Sequence, residues 1–280
     1  MTVRTIDPVP RIASQILLDK AELLGGRHAA EIRQILDQRG VVFFRDVNFT
    51  DDEQLAFAAT LGTIRLGAIR KEGDRGIMTI TRNPDDNPRY AEYFHGTFHW
   101  HMDGSYEDIP PLASILSARV LSATGGQTEF ANSYAAWEDL PGDEKRALER
   151  LQVVHSMETL LRLAFPEPSD EQLESWRTSF IPKTHPLVWT HRSGRKSLVL
   201  GHSVTSIVGM AKPESDALLR KLMNWVTQPR FVYRHDWQPG DTLIWDNTGT
   251  LHRVEPYAAD SGRTMQRVTL DGEEPLARAA

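Results

Sequence analysis

The chain has 280 residues, 40% of them hydrophobic and 25% charged, which is the composition of an ordinary folded protein. Its net charge of -6 argues against a general nucleic-acid binder, and the absence of cysteine excludes disulfide scaffolds, thiolate zinc sites and cysteine nucleophiles. No apolar run approaches the roughly eighteen residues of a membrane span, and the first residues lack the apolar core of a secretory signal, so a reducing cytoplasm is the expected compartment.

Residues 1–12 are punctuated by proline and read as a lead-in. Over residues 29–38, Ile32, Ile35 and Leu36 recur at helical spacing, with Gly40 as the stop. Val41 to Phe44 reads as a buried strand, and Asp51 or Asp52 is expected to cap a helix carrying Leu55, Phe57, Ala58 and Leu61. Residues 63–76 are polar and read as a mobile loop, 77–81 as a strand, and 83–89 as a loop rich in Asn, Asp and Pro. Three histidines follow, His95, His99 and His101. A regular strand would align all three, but Gly96 argues against one. Strands are expected over 113–121 and 128–131, joined by a turn at Thr124-Gly125-Gly126-Gln127. Residues 133–151 read as helical with a break at Pro141-Gly142, and 156–182 as a lid or insertion. A hairpin is expected from strands at 184–189 and 197–200, then a helix opened by Pro213 and running to Trp225. Strands at 231–235, 243–245 and 264–270 complete the pattern, followed by a polar, frayed tail. Strands dominate the second two-thirds and do not alternate regularly with helices. The expected fold is therefore mainly β with flanking helices, a double-stranded β-helix (jelly roll) forming one domain over residues 1–280.

Within this pattern, Trp100-His101-Met102-Asp103-Gly104 places an imidazole and a carboxylate two residues apart, on one face of an extended segment. A second stretch, Ile244-Trp245-Asp246-Asn247 followed by His252, supplies a further imidazole if strand pairing brings it to the same point. Two histidines and one carboxylate form a facial triad that suits non-haem Fe(II) and leaves three coordination positions open. A His-x-Asp tripeptide alone is weak, because the chain holds ten histidines and a lone His101 reads equally as a hydrogen-bonded strand-end residue. A zinc hydrolase with the same three ligands and a bound water, or a non-catalytic jelly-roll binding protein, are the other readings.

Four blocks together resemble the taurine dioxygenase and phenoxyacetate-herbicide dioxygenase family of Fe(II)/2-oxoglutarate enzymes. They are Trp100-His101-Met102-Asp103, Gly125-Gly126-Gln127-Thr128, Trp245-Asp246-Asn247 with His252, and the arginines Arg263 and Arg267, eleven and fifteen residues after His252. His185-Pro186-Leu187-Val188 and Trp237-Gln238-Pro239-Gly240-Asp241 also resemble family strands and turns, and the likeness spans roughly residues 30 to 275. The resemblance implies that His101, Asp103 and His252 hold Fe(II), and that Thr128 and Arg263 bind the far carboxylate of 2-oxoglutarate. It further implies that Arg267 lies by the substrate, while His99, two residues before His101 in the sequence, is read separately as a pocket-wall residue that can contact substrate. A buried arginine needs a counter-charge, so a carboxylate or sulfonate substrate is expected. Trp245 is expected to pack beneath the metal site, with Asp246 and Asn247 in supporting and turn roles. The implied reaction consumes O2 and 2-oxoglutarate, releases succinate and CO2, and hydroxylates a small molecule, with bond cleavage if the carbon bears a heteroatom. Taurine itself is not the expected substrate, because Arg65-Leu66-Gly67-Ala68 lacks the histidine that the taurine enzyme has there. Neither nucleic acid nor membrane is an expected partner, and homo-oligomer formation is left open.

Overall fold

The computed structural model describes residues 3–66, 74–87 and 91–276. Strands β1 (Thr5–Ile6) and β2 (Ser14–Ile16) open the chain, followed by helices α1 (Lys20–Leu24) and α2 (Ala29–Arg39), strand β3 (Val41–Phe44) and helix α3 (Asp51–Leu61). Strand β4 (Ile77–Ile80) and a 3-10 turn over Glu92–Phe98 precede β5 (Ala113–Val120) and β6 (Thr128–Asn132). Helices α4 (Ser133–Glu138) and α5 (Gly142–Leu148) lead to β7 (Gln152–His155), then α6 (Met157–Ala164) and α7 (Asp170–Ser179). Four short strands follow, β8 (Lys183–Pro186), β9 (Val188–Thr190), β10 (Lys196–Leu198) and β11 (Val204–Ile207), before α8 (Lys212–Val226). Strands β12 (Val232–His235), β13 (Thr242–Asp246), β14 (Thr250–Val254) and β15 (Thr264–Thr269) come last.

The architecture is mainly β with flanking helices. Seven strands form one sheet in the order β1-β2-β3-β13-β5-β15-β4, and β6 lies between β12 and β14 in a smaller antiparallel sheet. Strands β3 and β13 are buried on both faces, which is why β3 is wholly apolar and β13 carries the apolar run Leu243-Ile244-Trp245 at its centre. Side-chain alternation divides the large sheet's packing. Val42, Phe44, Ile115, Ile244 and Val268 face a core shared with Leu36 of α2 and Phe57 and Leu61 of α3. Val41, Phe43, Leu116, Leu243, Trp245 and Met265 face the other way, onto Phe130 of β6 and Tyr233 of β12. The site described below sits on this second face.

Helix α2 ends as expected, with Gly40 at φ 72° donating its N–H to the Leu36 carbonyl. The cap of α3 differs from expectation. Thr50, not Asp51 or Asp52, is the cap, and it forms a reciprocal box with Glu53. The chain enters this helix extended at Thr50, so only that side chain reaches back to the Glu53 N–H, while Asp51 and Asp52 occupy the first turn.

Two other expectations are corrected. Residues 3–12 are more than a lead-in. Strand β1 pairs with β2, β2 joins β3, and Arg39 donates to the carbonyls of Val9, Pro10, Ile12 and Ala13. Glu92–Phe98 forms a 3-10 turn, in keeping with the Gly96 argument against a regular strand, so strand parity does not relate His95 to His99 and His101. As far as residue 276 the tail is docked rather than frayed: Arg33 grips Glu273 through two hydrogen bonds, His191 pairs with Glu274, and the Leu276 N–H reaches the Asp108 carbonyl. The insertion at 156–182 carries α6 and α7, and Leu160 of α6 packs against Gly96, just ahead of the metal motif. Of the loop expected at 63–76, residues 67–73 lie outside the described residues, as do 88 and 89 of the loop at 83–89. No described helix is long and apolar enough to cross a membrane.

Candidate active site

His101 and His252 meet through a two-residue antiparallel bridge, with His101 N–H to His252 O at 3.0 Å and His252 N–H to His101 O at 2.9 Å. Their rings lie 4.2 Å apart, and Asp103 Oδ2 is 3.7 Å from His252 Nε2. One donor atom from each of His101, Asp103 and His252 falls within 4.8 Å of the others. The route to this geometry differs from the expected extended strand. Only His101 is paired, and the chain then turns at Gly104, φ 71°, where an added Cβ would lie 2.3 Å from Pro111. Gly201 lets another segment approach, since its Cβ would stand 3.2 Å from the His101 Cα.

The electrostatics prepare these groups to hold a cation. His101 Nδ1 lies 2.8 Å from the His99 carbonyl, which can only accept, so Nδ1 carries the proton and Nε2 keeps its lone pair. Burial lowers the His101 pKa, and it lowers that of His252 well below the ordinary value, so both rings are neutral donors. Burial pushes the Asp103 carboxyl up, but the adjacent Arg267 guanidinium outweighs it and brings its pKa to about 2. Arg267 donates to Asp103 Oδ2 at 2.6 Å and to Ser114 Oγ at 3.1 Å, and Asn247 donates to the same Ser114 oxygen at 3.1 Å. The counter-charge of Arg267 is thus Asp103, not a substrate anion as the sequence reading assumed. Trp245 packs 4.9 Å from the His252 ring, beneath the triad as expected. Asp246 is turned away, held by Tyr134 and Thr248.

A second cluster lies along β6 from this triad. Phe130 pairs with His252 and Thr128 with Val254, so Thr128 shares the face of His252 about 7 Å further along the strand. Gly125 and Gly126 have φ of 71° and 80°, and each allows a close approach. A Cβ on Gly125 would lie 2.0 Å from the Pro256 carbonyl oxygen, and one on Gly126 would lie 2.8 Å from Arg263 Nε. Arg263 therefore passes against bare backbone, donates to the Gly126 carbonyl at 3.0 Å and stacks 4.7 Å over the Tyr257 ring. It is 2% exposed, burial lowers its pKa, and no carboxylate among the described residues pairs with it. A buried guanidinium without a carboxylate is a built site for an anion.

His99 lies beside the triad. Its carbonyl orients His101 and its half-buried ring stands 5.1 Å from that of His202. His95 is away from the metal cluster, paired with Arg82 at 2.6 Å. Sequence reasoning missed His202, Ser114 and Tyr257 around the site. None sits in a spacing motif, and each arrives through sheet or loop packing. Of the segment lacking the taurine enzyme's histidine, Arg65 pairs with Glu107 at 2.6 Å, and Gly67 and Ala68 lie outside the described residues.

The sequence profile of the taurine catabolism dioxygenase TauD, TfdA family matches residues 5–269. The chain is 35% identical over 271 residues to an alpha-ketoglutarate-dependent 2,4-dichlorophenoxyacetate dioxygenase of Burkholderia sp. (strain RASC), covering 91% of this chain and 90% of that protein. It is 33% identical over 256 residues to an alpha-ketoglutarate-dependent sulfate ester dioxygenase of Pseudomonas putida, covering 88% and 81%. The crystal structure of AAD-2 in complex with Mn(II) and N-oxalylglycine superimposes with a TM-score of 0.83 at 34% identity, covering 99% of this chain and all of that one.

Proposed function

Because the chain belongs to the taurine catabolism dioxygenase TauD, TfdA family, we propose that it oxidises a small organic anion with Fe(II), 2-oxoglutarate and O2 in the site just described. It is a 2-oxoglutarate-dependent dioxygenase. When bound, iron and 2-oxoglutarate supply the oxidising chemistry, in which the co-substrate is decarboxylated to succinate and CO2 and a substrate carbon is hydroxylated. The residues fit these groups. Two neutral imidazoles and an ionised carboxylate are a donor set for a divalent transition metal, and Arg263 is a buried cation that lacks an anion.

In this reading His101, Asp103 and His252 hold the iron, while Thr128 and Arg263 hold the far carboxylate of 2-oxoglutarate. Arg267 keeps Asp103 ionised and aimed, and with His99 borders the substrate. The observation that carries the reading is Arg263, buried with no carboxylate partner among the described residues and held at the Gly126 carbonyl two residues before Thr128, which itself lies about 7 Å along the sheet from His252. A zinc hydrolase would leave both residues idle.

Charge favours an anionic substrate. A divalent iron, Asp103, the two arginines and doubly charged 2-oxoglutarate together leave one net positive charge, which a carboxylate, sulfonate or sulfate monoanion would neutralise. The 2,4-dichlorophenoxyacetate and sulfate ester named for the two relatives are both anions. We read the two facing sheets as a double-stranded β-helix (jelly roll) in one domain over residues 1–280, with α6 and α7 as an insertion, working in the cytoplasm. The packing of Phe130 against the large sheet supports the first of these.

Anaerobic titration of Fe(II)-loaded protein with 2-oxoglutarate is the test. A weak visible charge-transfer band is expected, absent in Asp103→Ala and needing on the order of 100-fold more 2-oxoglutarate in Arg263→Ala. Succinate release would then be screened across carboxylates, sulfonates and sulfate esters. No band in fully loaded wild type would overturn the assignment.

A further inference from the structure

We propose that Trp237 is a positioning residue that sets the direction in which the Thr128 hydroxyl donates, and thereby the preference for a 2-oxo acid with a second carboxylate. This deepens the reading above and rests on Thr128 and Arg263 holding that carboxylate. Trp237 Nε1 lies 3.0 Å from Thr128 Oγ1. An indole N–H only donates, so the Thr128 oxygen accepts and its own hydrogen must point elsewhere. Thr128 is 2% exposed, and among the described residues its hydroxyl hydrogen has no acceptor. A buried hydroxyl with its oxygen engaged and its hydrogen unused is a donor waiting for an anion. Arg263, held at the carbonyl of Gly126 two residues before Thr128, supplies the charge for the same anion.

What holds Trp237 is the turn over Gln238-Pro239-Gly240-Asp241 that follows it. The Gln238 N–H donates to Asp241 Oδ2 at 2.8 Å, and the Asp241 N–H returns to the Gln238 carbonyl at 3.1 Å. The fully buried His235 is fixed between Tyr233 OH at 2.8 Å and Asp241 Oδ2 at 3.1 Å, and Arg45 closes on the same carboxylate. The His235 ring meets the indole edge-on, 4.5 Å away at 79°. His235 also pairs with Thr128 across the sheet, so the clamp and the hydroxyl that it directs share one register. A carboxylate, an imidazole and a phenol thus rigidify one indole N–H, and no other use of that network is apparent in the iron site.

Calorimetric titration of Mn(II)-loaded protein with 2-oxoglutarate and with 2-oxovalerate, which lacks the far carboxylate, tests this by binding alone. Trp237→Phe should weaken 2-oxoglutarate roughly fivefold to tenfold and leave 2-oxovalerate unchanged. In a Thr128→Val background the same substitution should have no effect, since the group it directs is gone. Replacing Trp237 with 3-benzothienylalanine, which keeps the ring shape but puts sulfur in place of the N–H, should match Trp237→Phe and guards against a folding defect. Equal weakening of both ligands, or a loss that persists in Thr128→Val, would show a merely structural role and overturn the proposal. Wild type that failed to bind 2-oxoglutarate would instead overturn the functional reading beneath it.

Discussion

Asp103 shows how few atoms decide the chemistry at the residue scale. Its carboxylate is taken out of water, which by itself favours the protonated acid, and Arg267 at 2.6 Å reverses that preference. Arg267→Ala leaves the burial and removes the largest opposing charge, so the Asp103 pKa should rise. Metal affinity should then fall more at pH 6 than at pH 8, as protons compete for the carboxylate, and chelator competition at the two pH values checks it. An equal loss at both would mean that Arg267 acts only through packing on Trp245. The identities of His101, Asp103, His252, Thr128 and Arg263 were legible in the sequence because each sits in a short motif. The partner of Arg267 was not. Arg267 lies 164 positions from Asp103, and only the pairing of β15 with β5 brings it there.

At the scale of elements, the decisive feature is register. The pairing of β6 with β14 sets Thr128 beside Val254 and Phe130 beside His252, so a slip of one residue would turn Thr128 away from the iron ligands. Helices α2 and α3 serve the site indirectly, by covering the face of the large sheet opposite the chemistry. The reciprocal cap of α3 gives a measurable local test. Thr50→Ala should cost about 1 kcal/mol in urea unfolding, whereas Asp52→Ala, which loses a favourable charge in the first turn and an exposed pair with Arg75, should cost about half a kcal/mol or less. The reverse order would reinstate the aspartates as the cap. Periodic apolar spacing made α2, β3, β5 and α8 readable. Strands β7 and β11 escaped notice because each is only four residues long and lacks a flanking hairpin turn.

The whole molecule carries several histidines in places where water cannot follow. Burial lowers the pKa of His155 to about 3, and it also lowers those of His185 and His235. A folded-state pKa below the unfolded value means that the unfolded chain binds more protons. The corresponding stability is present above about pH 6.5 and is lost as pH falls from there toward 3. The midpoint of thermal unfolding should therefore drop steadily between pH 7 and pH 5, and His155→Asn should flatten that slope. A slope unchanged by this substitution would assign the acid sensitivity to other groups.

At this largest scale, local chemistry and long-range assembly divide the information cleanly. The sequence by itself determined the donor types, the family, the mainly β character and the glycine turn at 125–126, because ligand spacing, strand alternation and turn residues are local properties of the chain. Only the tertiary structure decided that Asp103 answers Arg267, that Arg263 is buried against the Gly126 carbonyl, and that Trp237 meets Thr128. Those contacts join residues more than a hundred positions apart, and strand order and register, not spacing along the chain, bring them together.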